Sequence, residues 1–334
     1  MNYIGSKYSL IGFIQEKISE FTDFDNEKDK VFADLFAGTG IVGLTYRTKG
    51  YNIISNDIQY YSYILNKHYI ENSLSVDTSI FDYLNSLPGI EGFVYNNYCM
   101  GSGSNRNYFS DENGMKCDAI RKKIEEMFIY KKIDRKTYFF LLASLINSID
   151  KYANTASVYG AFLKKTKKSA QKTFYLEPLP VIFGPKGQVF NEDANNLIRK
   201  ISGDILYLDP PYNARQYCTN YHVLETISKY DCPHLNGKTG LRDYEYQKSK
   251  YCSKQFVGET FNDLIANANF KYIFLSYNNE GLMNLNDIQH IMSKYGTYYC
   301  YKKDYRRFKA DADTNRNIKS KETTEYLHCL RKKD

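Results

Sequence analysis

A short apolar run reaches Asp34 and passes at once into Leu35-Phe36-Ala37-Gly38-Thr39-Gly40-Ile41-Val42-Gly43. A buried strand, a glycine turn and a helix start, in that order, let a main chain come close enough to a nucleotide to touch it. Asp57 stands at the end of the next apolar run, where a carboxylate can accept both hydroxyls of a ribose. Gly38, Gly40 and Gly43 also spell GxGxxG, and Asp57 lies near the spacing of a dinucleotide site, so a hydride-transfer enzyme stays open. So does a tight turn with no ligand at all. Asp34 weighs against pyrophosphate, because a carboxylate at the strand tip suits a cationic amino group better.

Apolar runs rich in Val, Ile, Tyr and Phe recur at 30–35, 51–56, 188–191 and 204–208, and again at 271–277, 297–301 and 325–330. Each is short and bounded by polar or glycine-containing turns, so each reads as a strand. Helical spacing fits 41–48, 61–71, 221–230 and 285–295. Strands that alternate with helices imply an α/β fold with a mainly parallel sheet of seven strands. Between the second and third strands lies a long interruption whose clearest elements are helical, at 119–130 and 137–152. In the first of these Ile120, Ile124, Met127 and Phe128 share one face. The expected division is therefore 1–72 with 186–334 as one domain and 73–185 as a mostly helical insertion.

Charge separates these parts. The chain carries +7 overall, yet residues 96–176 alone hold fifteen Lys or Arg against seven Asp or Glu. A basic segment beside a near-neutral remainder suits a polyanion, although a merely solvated face gives the same count. Candidate contacts are Arg106 in the polar loop 101–107, and Lys164, Lys165, Lys167 and Lys168 in a later turn. The seven cysteines form no CxxC pair and there are only five histidines, so no metal site is expected and the thiols read as reduced. No charged-then-apolar leader opens the sequence, and the longest apolar runs, such as 139–146, fall short of the roughly 20 residues of a membrane span. The expectation is a soluble, cytoplasmic protein.

The run 204–208 delivers Asp209-Pro210-Pro211-Tyr212 to the carboxyl end of the sheet, where α/β ligands bind. Asp-Pro-Pro is also an ordinary way to leave a strand. Its chemistry is more particular. The 6-amino group of adenine is a poor nucleophile because its lone pair is delocalised into the ring, and freeing that pair takes two acceptors, one for each hydrogen. An ionised Asp209 offers acceptor oxygens only, and the Pro210 carbonyl is a second acceptor on a stiffened backbone with no competing N–H. Tyr212 can stack on the extracted base, a contact of about 1 to 3 kcal/mol, comparable with the cost of unstacking. The expected reaction is direct in-line transfer of a sulfonium methyl to that amine. S-adenosylmethionine carries both the sulfonium and the ammonium that Asp34 would hold.

In this order of motifs the chain resembles the Dam-like, alpha-group adenine-N6 DNA methyltransferases over nearly its whole length. The resemblance implies a Rossmann-like class I methyltransferase sheet with an inserted DNA target-recognition domain. It also implies S-adenosylmethionine as cofactor, S-adenosylhomocysteine as product, double-stranded DNA as partner, and catalysis by Asp209, Pro210, Pro211 and Tyr212. Tyr3-Ile4-Gly5-Ser6-Lys7 is similar to the family's opening element, which implies cofactor roles for Tyr3 and Lys7. Asp34, Phe36, Gly38 and Gly40 match the cofactor loop, Asp57 and Ile58 the ribose acid and its apolar neighbour, and Asp193 the acid that reads the cofactor's adenine. Arg306 and Arg307 fall in the late loop, where they would meet phosphates. The blocks 154–160 and 213–217 look more like methylases of restriction systems with asymmetric sites, which makes a cognate endonuclease a candidate partner. An RNA adenine or DNA cytosine-N4 methyltransferase, and a DNA-binding module without catalysis, are the alternatives.

Overall fold

Seven stretches do become strands, and most run longer than the apolar patterns alone outline. The structure is a computed structural model that describes residues 7–24, 28–73, 77–306 and 322–333. Strands β1 (Val31–Asp34), β2 (Asn52–Asn56), β3 (Gln188–Phe190), β4 (Ser202–Leu208), β5 (Asn269–Asn278), β6 (Gly296–Arg306) and β7 (Glu322–Lys332) form one sheet in the order β3-β2-β1-β4-β5-β7-β6. The first five are parallel, and β7 inserts antiparallel between β5 and β6. This is the expected Rossmann-like methyltransferase sheet. The chain runs outward through β1, β2 and β3 and returns to β4 beside β1. The strand order therefore reverses between β1 and β4, the place where α/β folds open a ligand crevice.

The chain divides into two compact units. One comprises 6–58, 184–217 and 247–334, and contains the whole sheet. Its apolar core joins Ala33, Leu206, Leu208, Ile273 and Leu275 of the strands to Phe261, Leu264, Ile288 and Met292 of the helices Val257–Asn267 and Leu285–Ser293. With the strand interiors committed to apolar packing, the carboxyl ends of the strands are left as the place for polar chemistry.

The other unit comprises 59–183 and 218–246. It is wider than the insertion 73–185 read from the sequence, because 59–72 and 218–246 pack within it; the amide of Tyr61, for example, donates to Glu225 Oε2 at 3.1 Å. Two details depart from the sequence pattern. The helix expected at 61–71 runs as Tyr60–Asn66 and then widens into a π-turn over Lys67–Glu71. The helix expected to start at 119 starts at Asp111, capped by Ser110, whose side chain accepts from the Asn113 amide. Its first turns bury Asn113, Gly114, Cys117 and Asp118 rather than an apolar stripe, so periodicity could not show them. Asp118 accepts the amides of Gly92, Val94 and Tyr95 and so holds the start of the helix Phe93–Tyr98 from outside it. The helix Arg135–Tyr152 is capped by Asp134.

Candidate active site

Four acids stand at the carboxyl ends of four neighbouring strands. Asp193 follows β3, Asp57 follows β2, Asp34 ends β1 and Asp209 follows β4. The glycine turn sets the spacing among the first three. Gly38 and Gly40 have φ of +52° and +81°, the left-handed region that residues with a Cβ enter at a cost, and Gly40 starts the helix Ile41–Thr48. The Gly38 amide donates to Asp57 Oδ2 at 2.8 Å, and the Ala37 amide to the Asn56 carbonyl at 3.0 Å. Buried Asn56 extends the stitching, donating to the carbonyls of Leu35 and Glu192 and accepting the Glu192 amide. Sequence reasoning missed Asn56. Its signal was an amide at the last position of a buried strand, where unpaired backbone needs partners.

Asp34 is buried to 1% exposure. Its Oδ1 has no hydrogen-bond partner among the described residues. Burial first, and then the charges of Asp209 and Asp57, push its carboxyl well above the ordinary range. A buried acceptor without a donor is costly, and an acid held up by neighbouring acids is relieved by a cation. The site therefore fits the ammonium of an amino-acid-bearing nucleoside and opposes a pyrophosphate.

Asp209 has a cation already. Lys7, on the turn Lys7–Leu10, lies with its Nζ 2.9 Å from Asp209 Oδ1 and 3.2 Å from Glu325 Oε1, and is itself buried. Burial opposes the lysine's charge, but Asp209 and Glu325 together overcome it and hold the ammonium well above the usual lysine range. Burial, with Glu325 adding to it, outweighs the downward pull of Lys7 and raises the Asp209 carboxyl to about 6. At neutral pH Asp209 is thus an anion with one oxygen on Lys7. The sequence pointed to Lys7 for the cofactor, whereas its ammonium here grips the tetrapeptide's acid. Glu325 was legible only as part of a strand.

The remaining tetrapeptide is fixed from β5. Pro210 is buried, the Tyr212 carbonyl accepts the Leu282 amide at 2.8 Å, and the Tyr212 ring meets Tyr277 edge-on with centroids 6.2 Å apart. Phe36 is half-buried and meets Tyr251 edge-on at 5.2 Å, while the Ile58 carbonyl accepts from Gln247. Asp193 is exposed and caps the helix Ala194–Leu197 through the Asn196 amide. Tyr3 and Arg307 lie outside the described residues, and Arg306 is the last residue of β6.

The other unit sorts the basic candidates. Lys164, Lys165 and Lys168 are exposed, but Lys167 turns inward: its Nζ donates to the Thr155 carbonyl at 3.0 Å and its amide to Asn154 Oδ1. Arg106 reaches the carbonyls of Asn97, Gly237 and Lys238, which makes it a strut between loops. Among the described residues no group of His, Cys, Asp or Glu could hold a metal ion, and no helix is long and apolar enough to cross a membrane.

This arrangement, a cation-seeking acid beside a lysine-held Asp-Pro-Pro-Tyr, meets a family model: residues 3–291 match the D12 class N6 adenine-specific DNA methyltransferases. The chain belongs to that family. It is 54% identical to the type II methyltransferase M.NlaIII of Neisseria lactamica, over 99% of each chain. It is 41% identical to M.FokI of Planomicrobium okeanokoites over 99% of this chain but 53% of that protein, and 40% identical to M.CviAII of Paramecium bursaria Chlorella virus 1 over 93% of each. A solved magnesium protoporphyrin IX methyltransferase from Synechocystis PCC 6803 is a distant likeness, 9% identical at a TM-score of 0.32 over 97% of this chain and 76% of that one.

Proposed function

We propose that the chain methylates the exocyclic amine of an adenine swung out of duplex DNA, at a specific sequence and as the modification partner of a restriction system. The observation that carries this reading is the pairing of Asp34, with its unsatisfied buried oxygen, and Asp209, held ionised by Lys7, at adjacent strand ends. The relatives' names, type II methyltransferases, support the restriction setting, and a cognate endonuclease belongs to the proposal.

S-adenosylmethionine, when bound, supplies an electrophilic methyl group on a sulfonium. The protein's own groups do the rest. Asp34 Oδ1 and the turn around Gly38 and Gly40 hold the amino-acid end, Asp57 the ribose, and Ile58 and Asp193 the adenine of the cofactor. Phe36 shields the site. One carboxylate oxygen of Asp209 and the carbonyl of Pro210 accept the two amine hydrogens of the target base, Pro211 keeps the turn rigid, and Tyr212 packs on the ring. Lys164, Lys165 and Lys168, with Arg306 and Arg307, bind phosphates, while the unit holding 59–183 reads the sequence.

The test is expression of the full chain in cells lacking adenine methylation, followed by nucleoside analysis of DNA and RNA and modification-sensitive sequencing. N6-methyladenine in DNA at one short motif is expected. N4-methylcytosine, methylated RNA alone, or DNA binding without any methyl incorporation would each overturn the reading.

A further inference from the structure

The polar groups next to Asp209 form a row across one face of the sheet. Asp34 pairs with Tyr207 between β1 and β4, and Tyr207 pairs with Phe274 of β5. Two residues on, Ser276 faces the same side, and Glu325 of β7, whose ladder partner is Asn278, lies diagonally across from it. Glu325 is 3% exposed. Its Oε1 accepts the Ser276 hydroxyl at 2.5 Å and lies 3.2 Å from Lys7 Nζ. A buried glutamate at the end of an antiparallel ladder is costly unless paired, and here its cation is shared with the motif's aspartate.

That sharing has a chemical consequence. A carboxylate bonded to an ammonium that has no other acid to serve gives up electron density and becomes a weaker acceptor for a third group. A second carboxylate on the same ammonium restores it. We infer that Glu325 is a positioning residue of the methyl-transfer site, acting through Lys7 to make Asp209, which Lys7 holds ionised, more basic and so more strongly accepting toward the amine. The inference rests on the reading of Asp209 as the amine acceptor and deepens it; Glu325 itself does not touch the reacting atoms. The groups facing Asp209 are Lys7 from the opening turn, Glu325 from β7, Tyr207 and Tyr212 from its own segment, and Asp34 from β1. Only Lys7 among these described groups is cationic, so beyond the effect of burial the balance between two acids on one lysine tunes the basicity of Asp209.

The experiment measures methyl transfer to DNA by the full chain at saturating S-adenosylmethionine from pH 5 to 9, for the native protein, Glu325→Gln, Glu325→Asp, Ser276→Ala and Asp209→Asn. Glu325→Gln keeps the shape and removes the charge, leaving Lys7 to act on Asp209 alone. It is expected to lower kcat by about tenfold, leave cofactor and DNA affinities within about twofold, and move the acid limb of kcat/KM about one pH unit lower. Glu325→Asp is expected to recover part of the rate. Ser276→Ala frees Glu325 to draw on Lys7 more strongly and should move the limb the other way by a smaller amount; it tests the inference even if Glu325→Gln does not fold. An acid limb unmoved in the folded variants, or a loss confined to cofactor binding, overturns the role of Glu325. Asp209→Asn separates the two readings. If it is inactive while the Glu325 and Ser276 variants behave as native, only this inference fails; if it retains full turnover, the reading of Asp209 fails first.

Discussion

Asp34 and Asp209 end neighbouring strands with opposite arrangements, one lacking a donor at Oδ1 and the other tied to Lys7, and this difference separates their roles. Replacing Asp209 with Ala removes an acceptor needed only when the amine reacts, so kcat should fall by about 10²- to 10⁴-fold with cofactor affinity little changed. Radiolabelled methyl incorporation alongside calorimetric cofactor titration checks both halves. The free protein should lose kcat/KM as pH drops through about 6, where the Asp209 carboxyl takes up its proton and becomes a donor. A flat profile down to pH 5 would mean that the acceptor is another group. Asp34→Asn loses one charge-assisted bond of about 1.5 to 3 kcal/mol, so S-adenosylmethionine and S-adenosylhomocysteine, which share the ammonium, should both bind about 10- to 100-fold more weakly. Asp34, Asp57 and Asp209 were legible in the sequence because each sits at the end of an apolar run, beside glycines or prolines or at the spacing those glycines set. Lys7 and Glu325 come from opposite ends of the chain, and only the insertion of β7 beside β5 brings them together.

At the scale of an element, charge can be counted in a sequence but its direction cannot. The turn 164–168 carries four lysines, and the loop 154–160 decides which of them face water. Buried Asn154 donates to the carbonyls of Asn107 and Leu163 and accepts the Lys167 amide, which winds the turn inward at that one residue. Charge reversal at Lys164, Lys165 and Lys168 together should therefore weaken DNA binding and flatten its dependence on salt, by about 0.9 in log–log slope for each phosphate no longer neutralised. Lys167→Glu should instead destabilise the fold, since its half-buried ammonium is tied to the Thr155 carbonyl. Binding titrations across a range of salt concentrations, read beside thermal melts, separate the two effects. An unchanged slope in the triple variant would place the DNA path elsewhere. The same limit explains the helix Asp111–Ile129. Its apolar stripe was visible from residue 119 onward, but its first turns bury polar groups whose partners, such as the Gly92 and Val94 amides, lie outside the helix.

For the molecule as a whole, the +7 net charge conceals two opposite local fields. The basic excess lies within 96–176, whereas the sheet's carboxyl edge gathers Asp34, Asp57, Asp193 and Asp209, with Glu325 and Lys7 beside them. Folding therefore confines like charges at that edge, and burial holds Asp34 and Asp209 above their ordinary range. Both ionise more readily when a cation arrives, so cofactor binding should release protons and stabilise the fold most where those acids are otherwise strained, above about pH 6. At 100 times its Kd a ligand adds about 2.7 kcal/mol, which corresponds to a rise in Tm of about 5 °C. S-adenosylmethionine should give a shift of that size at pH 7.5 and a smaller one at pH 5, where Asp209 is protonated. S-adenosylhomocysteine lacks the sulfonium charge and should show a weaker dependence on pH, and NAD, with its pyrophosphate facing the same acids, should give none. Equal shifts for both adenosyl ligands at both pH values would show that the acidic edge does not sense the ligand's charge, and that shape alone holds it there.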